Sequence, residues 1–76
     1  MRTGNIIRIF KHGNNVQVMC SDDRGLLSVY FEHGHFISFC RVIKEAGLKL
    51  NGLLIKFDRD IIKVPVLGRL WEYRYR

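Results

Sequence analysis

Ser21-Asp22-Asp23-Arg24-Gly25-Leu26-Leu27-Ser28-Val29-Tyr30-Phe31-Glu32 is the stretch on which the fold turns. Read as a helix, Ser21 accepts a bond from an orphan backbone N–H, and Asp22 and Asp23 sit at the positive end of the dipole. Residues 22–32 then gather Leu26, Leu27, Tyr30 and Phe31 on one side and turn Arg24, Ser28 and Glu32 the other way. Read as a strand over Leu26–Phe31, the same Leu, Val, Tyr and Phe also suit a sheet. Gly25 weakens the helix by about 1 kcal/mol. The start signal favours the helix.

Downstream, His33-Gly34 breaks the element, and a second helix is expected over His35–Ala46. Phe36, Phe39, Cys40, Ile43 and Ala46 share one face, and Ser38, Arg41 and Glu45 the other, with Lys44 at its edge. Gly47 is a natural stop. A hairpin turning at His33-Gly34 would pair 28–32 with 35–40, but it discards the helical period that 41–46 continues. Upstream, Thr3 to Gly13 reads as a short helix, with Ile6, Ile9 and Phe10 on one face and Arg8 and Lys11 away from it. A strand is the alternative there: the segment is rich in β-branched residues, but Ile6 and Ile7 are adjacent, as are Ile9 and Phe10, so it alternates poorly. Gly13-Asn14-Asn15 reads as a turn and Val16–Cys20 as a short strand.

Beyond Gly47 the period becomes two. Leu53–Phe57, Ile61–Val64 and Leu70–Arg76 are expected strands, with turns at Asp58-Arg59-Asp60 and Leu67-Gly68-Arg69. Trp71, Tyr73 and Tyr75 share one face of the last strand, where core packing is the favoured role and a base-stacking platform the alternative. Pro65 cannot donate a ladder bond and belongs at an edge or beside a loop.

The 76 residues suffice for one domain, 1–76, whose 47% apolar content supports a small core. Thirteen Lys and Arg against seven Asp and Glu give a net charge of +6. Residues 1–40 carry four basic and three acidic side chains; residues 41–76 carry nine and four. This balance points to an anionic partner, foremost nucleic acid. No apolar run approaches the ~18 residues of a membrane span, and Met1 to Lys11 lacks the apolar stretch of a secretory signal. A cytoplasmic protein without a membrane role is expected. Cys20 and Cys40 read as buried free thiols, with a single bridge between them as the alternative.

The order helix, strand, helix, helix, strand, strand resembles the winged helix-turn-helix family of DNA-binding domains, an α+β fold. The resemblance is most specific over Arg41-Val-Ile-Lys-Glu-Ala-Gly-Leu48 and Val64-Pro-Val-Leu-Gly-Arg-Leu-Trp-Glu-Tyr-Arg-Tyr-Arg76. It implies a small microbial, plasmid or viral transcriptional regulator that binds double-stranded DNA, as a monomer or weak homodimer. Residues 22–32 would support a recognition helix, 35–46, lying in the ~12 Å major groove. On that helix Arg41 is the candidate for a guanine edge, Ser38 and Lys44 for phosphate, and His35 for a contact at the helix start. Arg59, Lys63 and Arg69 would charge the wing. Each has an ordinary counterpart: a solvated helix face for Arg41, and outward strand charges for Lys63.

Other readings stay open beside this one. Leu70-Trp-Glu-Tyr-Arg-Tyr-Arg76 also looks like the strand of RelE-type RNA-cleaving toxins that reads Leu-Trp-Glu-Leu-Arg. A basic protein-interaction module is the third. No phosphate-binding glycine loop, nucleophile elbow or His-Glu-x-x-His is present, so no catalytic residue is assigned. His33, His35, Cys40, Cys20 and His12 lack the tight ligand pairs of zinc sites, so neither metal nor cofactor is expected.

Overall fold

Ile6 beside Ile7, and Ile9 beside Phe10, form a pattern that a regular strand cannot place on one buried face. The chain accommodates it with one extra residue. β1 (Arg2–His12) is a strand and pairs antiparallel with β2 (Asn15–Asp22). Ile6 opposes Cys20 and Arg8 opposes Met19, so the register slips at Ile7. This β-bulge reverses the strand's parity and bends it. Before it, Gly4 and Ile6 are buried; after it, Arg8, Phe10 and His12 stand on the outer face with Met19 and Gln17.

The computed structural model describes residues 2–58, 60–66 and 68–74, the side chains of Val66 and Arg69 excepted. Among these residues β3 (Gly25–Glu32) pairs with β2, and α1 (His33–Glu45) follows directly. β4 (Leu54–Phe57) pairs with the first part of β1, over Arg2 to Asn5. β5 (Ile61–Val66) and β6 (Arg69–Arg74) complete an antiparallel sheet of order β3-β2-β1-β4-β5-β6. The bulge also anchors the loop before β4. Ile6 N–H donates to the Leu53 carbonyl at 3.0 Å, and Gly52 N–H donates to the Ile6 carbonyl at 2.7 Å.

This overturns the expected winged helix-turn-helix. The helices expected over Thr3–Gly13 and 22–32 are replaced by β1 and β3, and among the described residues the order is three strands, one helix, three strands. The reason lies at Asp22. Its carboxylate caps no helix. It accepts a bond from the Arg24 N–H at 2.8 Å, closing a two-residue turn, Asp23-Arg24, between β2 and β3. An acidic side chain bonding a nearby backbone N–H serves a helix start and a hairpin turn alike. Gly25, at φ 127°, takes the conformation that a helix would forbid. Leu27, Val29 and Phe31 then turn inward, whereas Leu26, Ser28 and Tyr30 turn outward.

The remaining elements follow the sequence more closely. α1 buries Phe39 and Ile43. It ends at Gly47, whose N–H donates to the Lys44 carbonyl, while Leu48 N–H donates to that of Ile43, both at 3.0 Å. Pro65 lies on β5 beyond the part paired with β4, where no ladder bond is asked of it. Trp71 and Tyr73 pack against the core. Arg59, Leu67, Tyr75 and Arg76 lie outside the described residues.

The sheet curls around this core. β3 and β6 are its two edges, yet Phe31 stacks on Tyr73 at 5.2 Å between ring centroids. Phe39 of α1 fills the space between, 5.3 Å from Phe31 and 5.5 Å from Trp71. Removing that ring would cost about 3–5 kcal/mol, as much as the core of so short a chain supplies. At the other end Arg2 clasps Asp22: its Nε and one terminal nitrogen each donate at 2.6 Å to the two carboxylate oxygens. These bonds hold the Asp22 carboxyl well below the ordinary carboxylate range.

Two outcomes test this architecture. A Cβ on Gly4 would collide with the Ser21 carbonyl, whereas one on Gly34, in the first turn of α1, meets nothing within 4 Å. Gly4→Ala is expected to lose about 1–3 kcal/mol, lowering Tm by roughly 4–8 °C per kcal/mol. Gly34→Ala should hold or raise Tm, by up to about 1 kcal/mol of helix propensity. Thermal melts ranking the two in reverse would refute the close crossing of β1 and β2. The second outcome concerns acid. Because folding lowers the Asp22 pKa, the stability it contributes is present above the unfolded value near ~3.9 and is lost as pH falls below it. Urea midpoints of the parent should therefore fall between about pH 5 and 2.5 more steeply than those of Asp22→Asn. Parallel curves would remove this pair from the account.

Candidate nucleic-acid interface

The bulge at Ile7 builds a surface that strand alternation alone would not. Arg8, Phe10 and His12 of β1 project on the outer side of the sheet. Beside them on β2 are Met19 and Gln17, and beyond those on β3 are Ser28 and Tyr30. Register sets two rows across three strands: Arg8, Met19, Ser28 and Phe10, Gln17, Tyr30. Strands lie about 4.8 Å apart, so Phe10 and Tyr30 stand about 10 Å from one another with Gln17 between.

Polar contacts fix the middle of this face. The Gln17 side-chain carbonyl accepts from His12 Nε2 at 2.9 Å, and its amide donates to Ser28 Oγ at 2.9 Å. The tautomer of His12 is assigned from that bond. The Arg8 guanidinium carbon lies 5.5 Å from the Phe10 ring centroid, within cation–π range. Phe10 and His12 rings are 6.2 Å apart. Tyr30 is 55% exposed. The surface thus offers ring faces, a cation and amide, imidazole and hydroxyl groups, on three paired strands.

Of the residues expected to touch DNA, four share α1, whereas Lys63 lies on another element, β5. His35, Ser38, Arg41 and Lys44 are exposed on α1, which covers the inner side of the sheet. His35 rests edge-on against Tyr73 at 5.9 Å, and Ser38 Oγ donates to the Gly34 carbonyl at 3.3 Å. Lys63 alternates with buried Ile62 and Val64 on β5, on the opposite side of the core, and is held by Glu72 at 2.9 Å. Arg69 begins β6, and Arg59 lies outside the described residues. The supporting helix that motivated groove reading by α1 is absent from the described residues, and the hairpin expected as a wing is built into the sheet as β5 and β6. Arg74, on the strand that looks like a toxin element, faces Asp60 at 3.6 Å.

Cys20 and Cys40 are free thiols. Burial pushes the Cys20 thiol up to about 12 and raises Cys40 as well, so neither is poised as a nucleophile. Among the described residues no group of three or more His, Cys, Asp or Glu side chains could hold a metal ion, and no helix is long and apolar enough to cross a membrane.

Sequence reasoning missed the outer face of β1–β3 because it read two of these strands as helices. A signal was present: Arg8, Phe10 and His12 alternate with Ile9 and Lys11, a period of two that the neighbouring Ile6-Ile7 pair conceals. Comparisons with protein-family models, with curated proteins and with solved structures returned no match, so the geometry stands alone as the basis for function.

Proposed function

We propose that this protein binds single-stranded nucleic acid on the outer face of β1–β3. The observation that carries the reading is the row Phe10, Gln17, Tyr30 with Arg8 laid over Phe10, on an open sheet face of a chain with net charge +6. Exposed rings stack on unpaired bases, at about 1–3 kcal/mol per base, and cations track the phosphates. Phe10 and Tyr30 are far enough apart to hold two different bases. Gln17 lies between them, with His12 and Ser28 hydrogen-bonded to it from the rows on either side, where base edges would meet donors and acceptors. A duplex hides its base faces in the stack and leaves such rings without partners. The strand order β3-β2-β1-β4-β5, with the helix between β3 and β4, also resembles the partly open Greek-key barrel that binds oligonucleotides, here extended by β6. That likeness is an analogy of fold and adds to the reading without carrying it.

Fluorescence anisotropy titrations with a labelled single strand, the matching duplex and RNA at two salt concentrations test the proposal. Single-strand affinity is expected to exceed duplex affinity and to fall with salt. Tyr30→Ala should weaken it by roughly 5- to 140-fold, the equivalent of one stacked base. Arg8→Ala should lower the salt slope by about 0.7, one phosphate's worth for a single strand. Arg41→Ala should leave single-strand binding unchanged. Tighter duplex binding that Arg41→Ala abolishes would overturn the proposal in favour of a groove-reading α1.

A further inference from the structure

β1 parts from β2 at Asn5: it pairs with β2 from Asn5 onward and with β4 over Arg2 to Asn5. β2 meanwhile turns back at Asp23-Arg24 into β3. A cavity of about 620 Å³ opens between residues 2–5 and 21–24, with Leu54 at its side. That volume falls within the ~300–1,000 Å³ of clefts that hold small molecules. Arg2 and Asp22, in its lining, are bonded to one another. Other polar groups there are left over. Among the described residues no hydrogen bond or ion pair engages the Thr3 or Ser21 hydroxyl, the Asp23 carboxylate or the Arg24 guanidinium. The Asn5 side chain commits only its nitrogen, which donates to the Gly52 carbonyl at 3.0 Å.

We propose that this cavity seats a nucleoside, the one joined through a phosphate to the nucleoside that stacks on Phe10. The proposal rests on the outer face being a single-strand site and extends that site by one position. Three observations select this occupant. The first is continuity. Thr3 and Asn5 alternate with the buried Gly4 and Ile6, so they face outward as Arg8 and Phe10 do. The second is spacing. Arg8 lies two residues from Phe10 and, with the bulged Ile7 discounted, two from Asn5. At about 3.3 Å per residue it stands about 7 Å from each along the strand, where the phosphate linking the two nucleosides would meet a cation. The third is charge. Arg2 and Arg24 balance Asp22 and Asp23, so the lining is neutral on a chain of net charge +6. A neutral lining with donors and acceptors left over suits a base and its sugar, whose edges carry both. It gives a phosphate no net attraction.

Amide NMR titrations of the full chain with deoxythymidine dinucleotide and trinucleotide test the proposal. Both oligomers are expected to shift the signals of Phe10, Gln17 and Tyr30. Only the trinucleotide should also shift those of residues 3–5 and 21–24. It should bind at least about fivefold tighter than the dinucleotide, the low end of what one further base contributes. Ser21→Leu, which fills the cavity with an aliphatic side chain and removes a hydroxyl, should abolish that gain. The dispersion of the amide spectrum verifies that the variant is folded. Shifts at Phe10 and Tyr30 with none at the cavity, or a gain that survives Ser21→Leu, would overturn this inference and leave the outer-face reading standing. Silence at Phe10 and Tyr30 with both oligomers would overturn the two together.

Discussion

β1 has two neighbours and cannot satisfy both as a straight, regular strand. β4 lies along its first four residues and β2 along nearly its whole length. The unpaired Ile7 lets it bend between these demands, and everything downstream depends on that bend. It brings Gly4 against the Ser21 carbonyl, so close that only a residue without a Cβ fits. It opens the Ile6 backbone to the 50–53 loop, which delivers the chain into β4. It also reverses the faces of β1, so Arg8, Phe10 and His12 leave the core side and form the candidate binding surface.

The curl that begins at the bulge is closed from the other side by aromatic packing. The two sheet edges meet side chain to side chain, Phe31 on Tyr73, with Phe39 and Trp71 completing the cluster. Offset and tilted ring pairs contribute about 0.5–1.5 kcal/mol each beyond their buried area. In a chain of this length such a cluster substitutes for the larger core of a bigger domain. The rings of β6 are thereby committed to stability. The rings left for recognition are those that the bulge and the β3 alternation turn outward, Phe10 and Tyr30. Among the described residues, core and candidate site divide these rings between them.

Legibility in the sequence followed the ambiguity of the local signals. α1 was readable because its apolar residues persist over three turns and its terminus has a glycine of the required conformation. β2, β4, β5 and β6 were readable from alternation and turn residues. β1 and β3 were not. Leu26, Leu27, Tyr30 and Phe31 satisfy a helical face and, as two interleaved pairs, both faces of a strand. Ser21-Asp22-Asp23 satisfies a helix start and a hairpin turn with the same hydrogen-bonding chemistry. The expected recognition residues fell on the right helix but inherited their role from a topology that the chain does not adopt. The outer face of β1–β3 could not be assembled from a sequence in which two of its three strands were misread.

By itself, the sequence determined the basic charge, the one helix that the chain forms and the strands of the second half, because these depend on composition or on periods that repeat within one segment. Only the tertiary structure decided the identity of β1 and β3, the partners of each strand and the face on which Arg8, Phe10 and Tyr30 meet. The physical reason is that strand pairing is non-local. A helix satisfies its backbone within itself, whereas a strand is chosen by neighbours far along the chain. Here the arbiters lie twenty residues or more apart: Arg2 on Asp22, and Ile6 on the loop at Gly52.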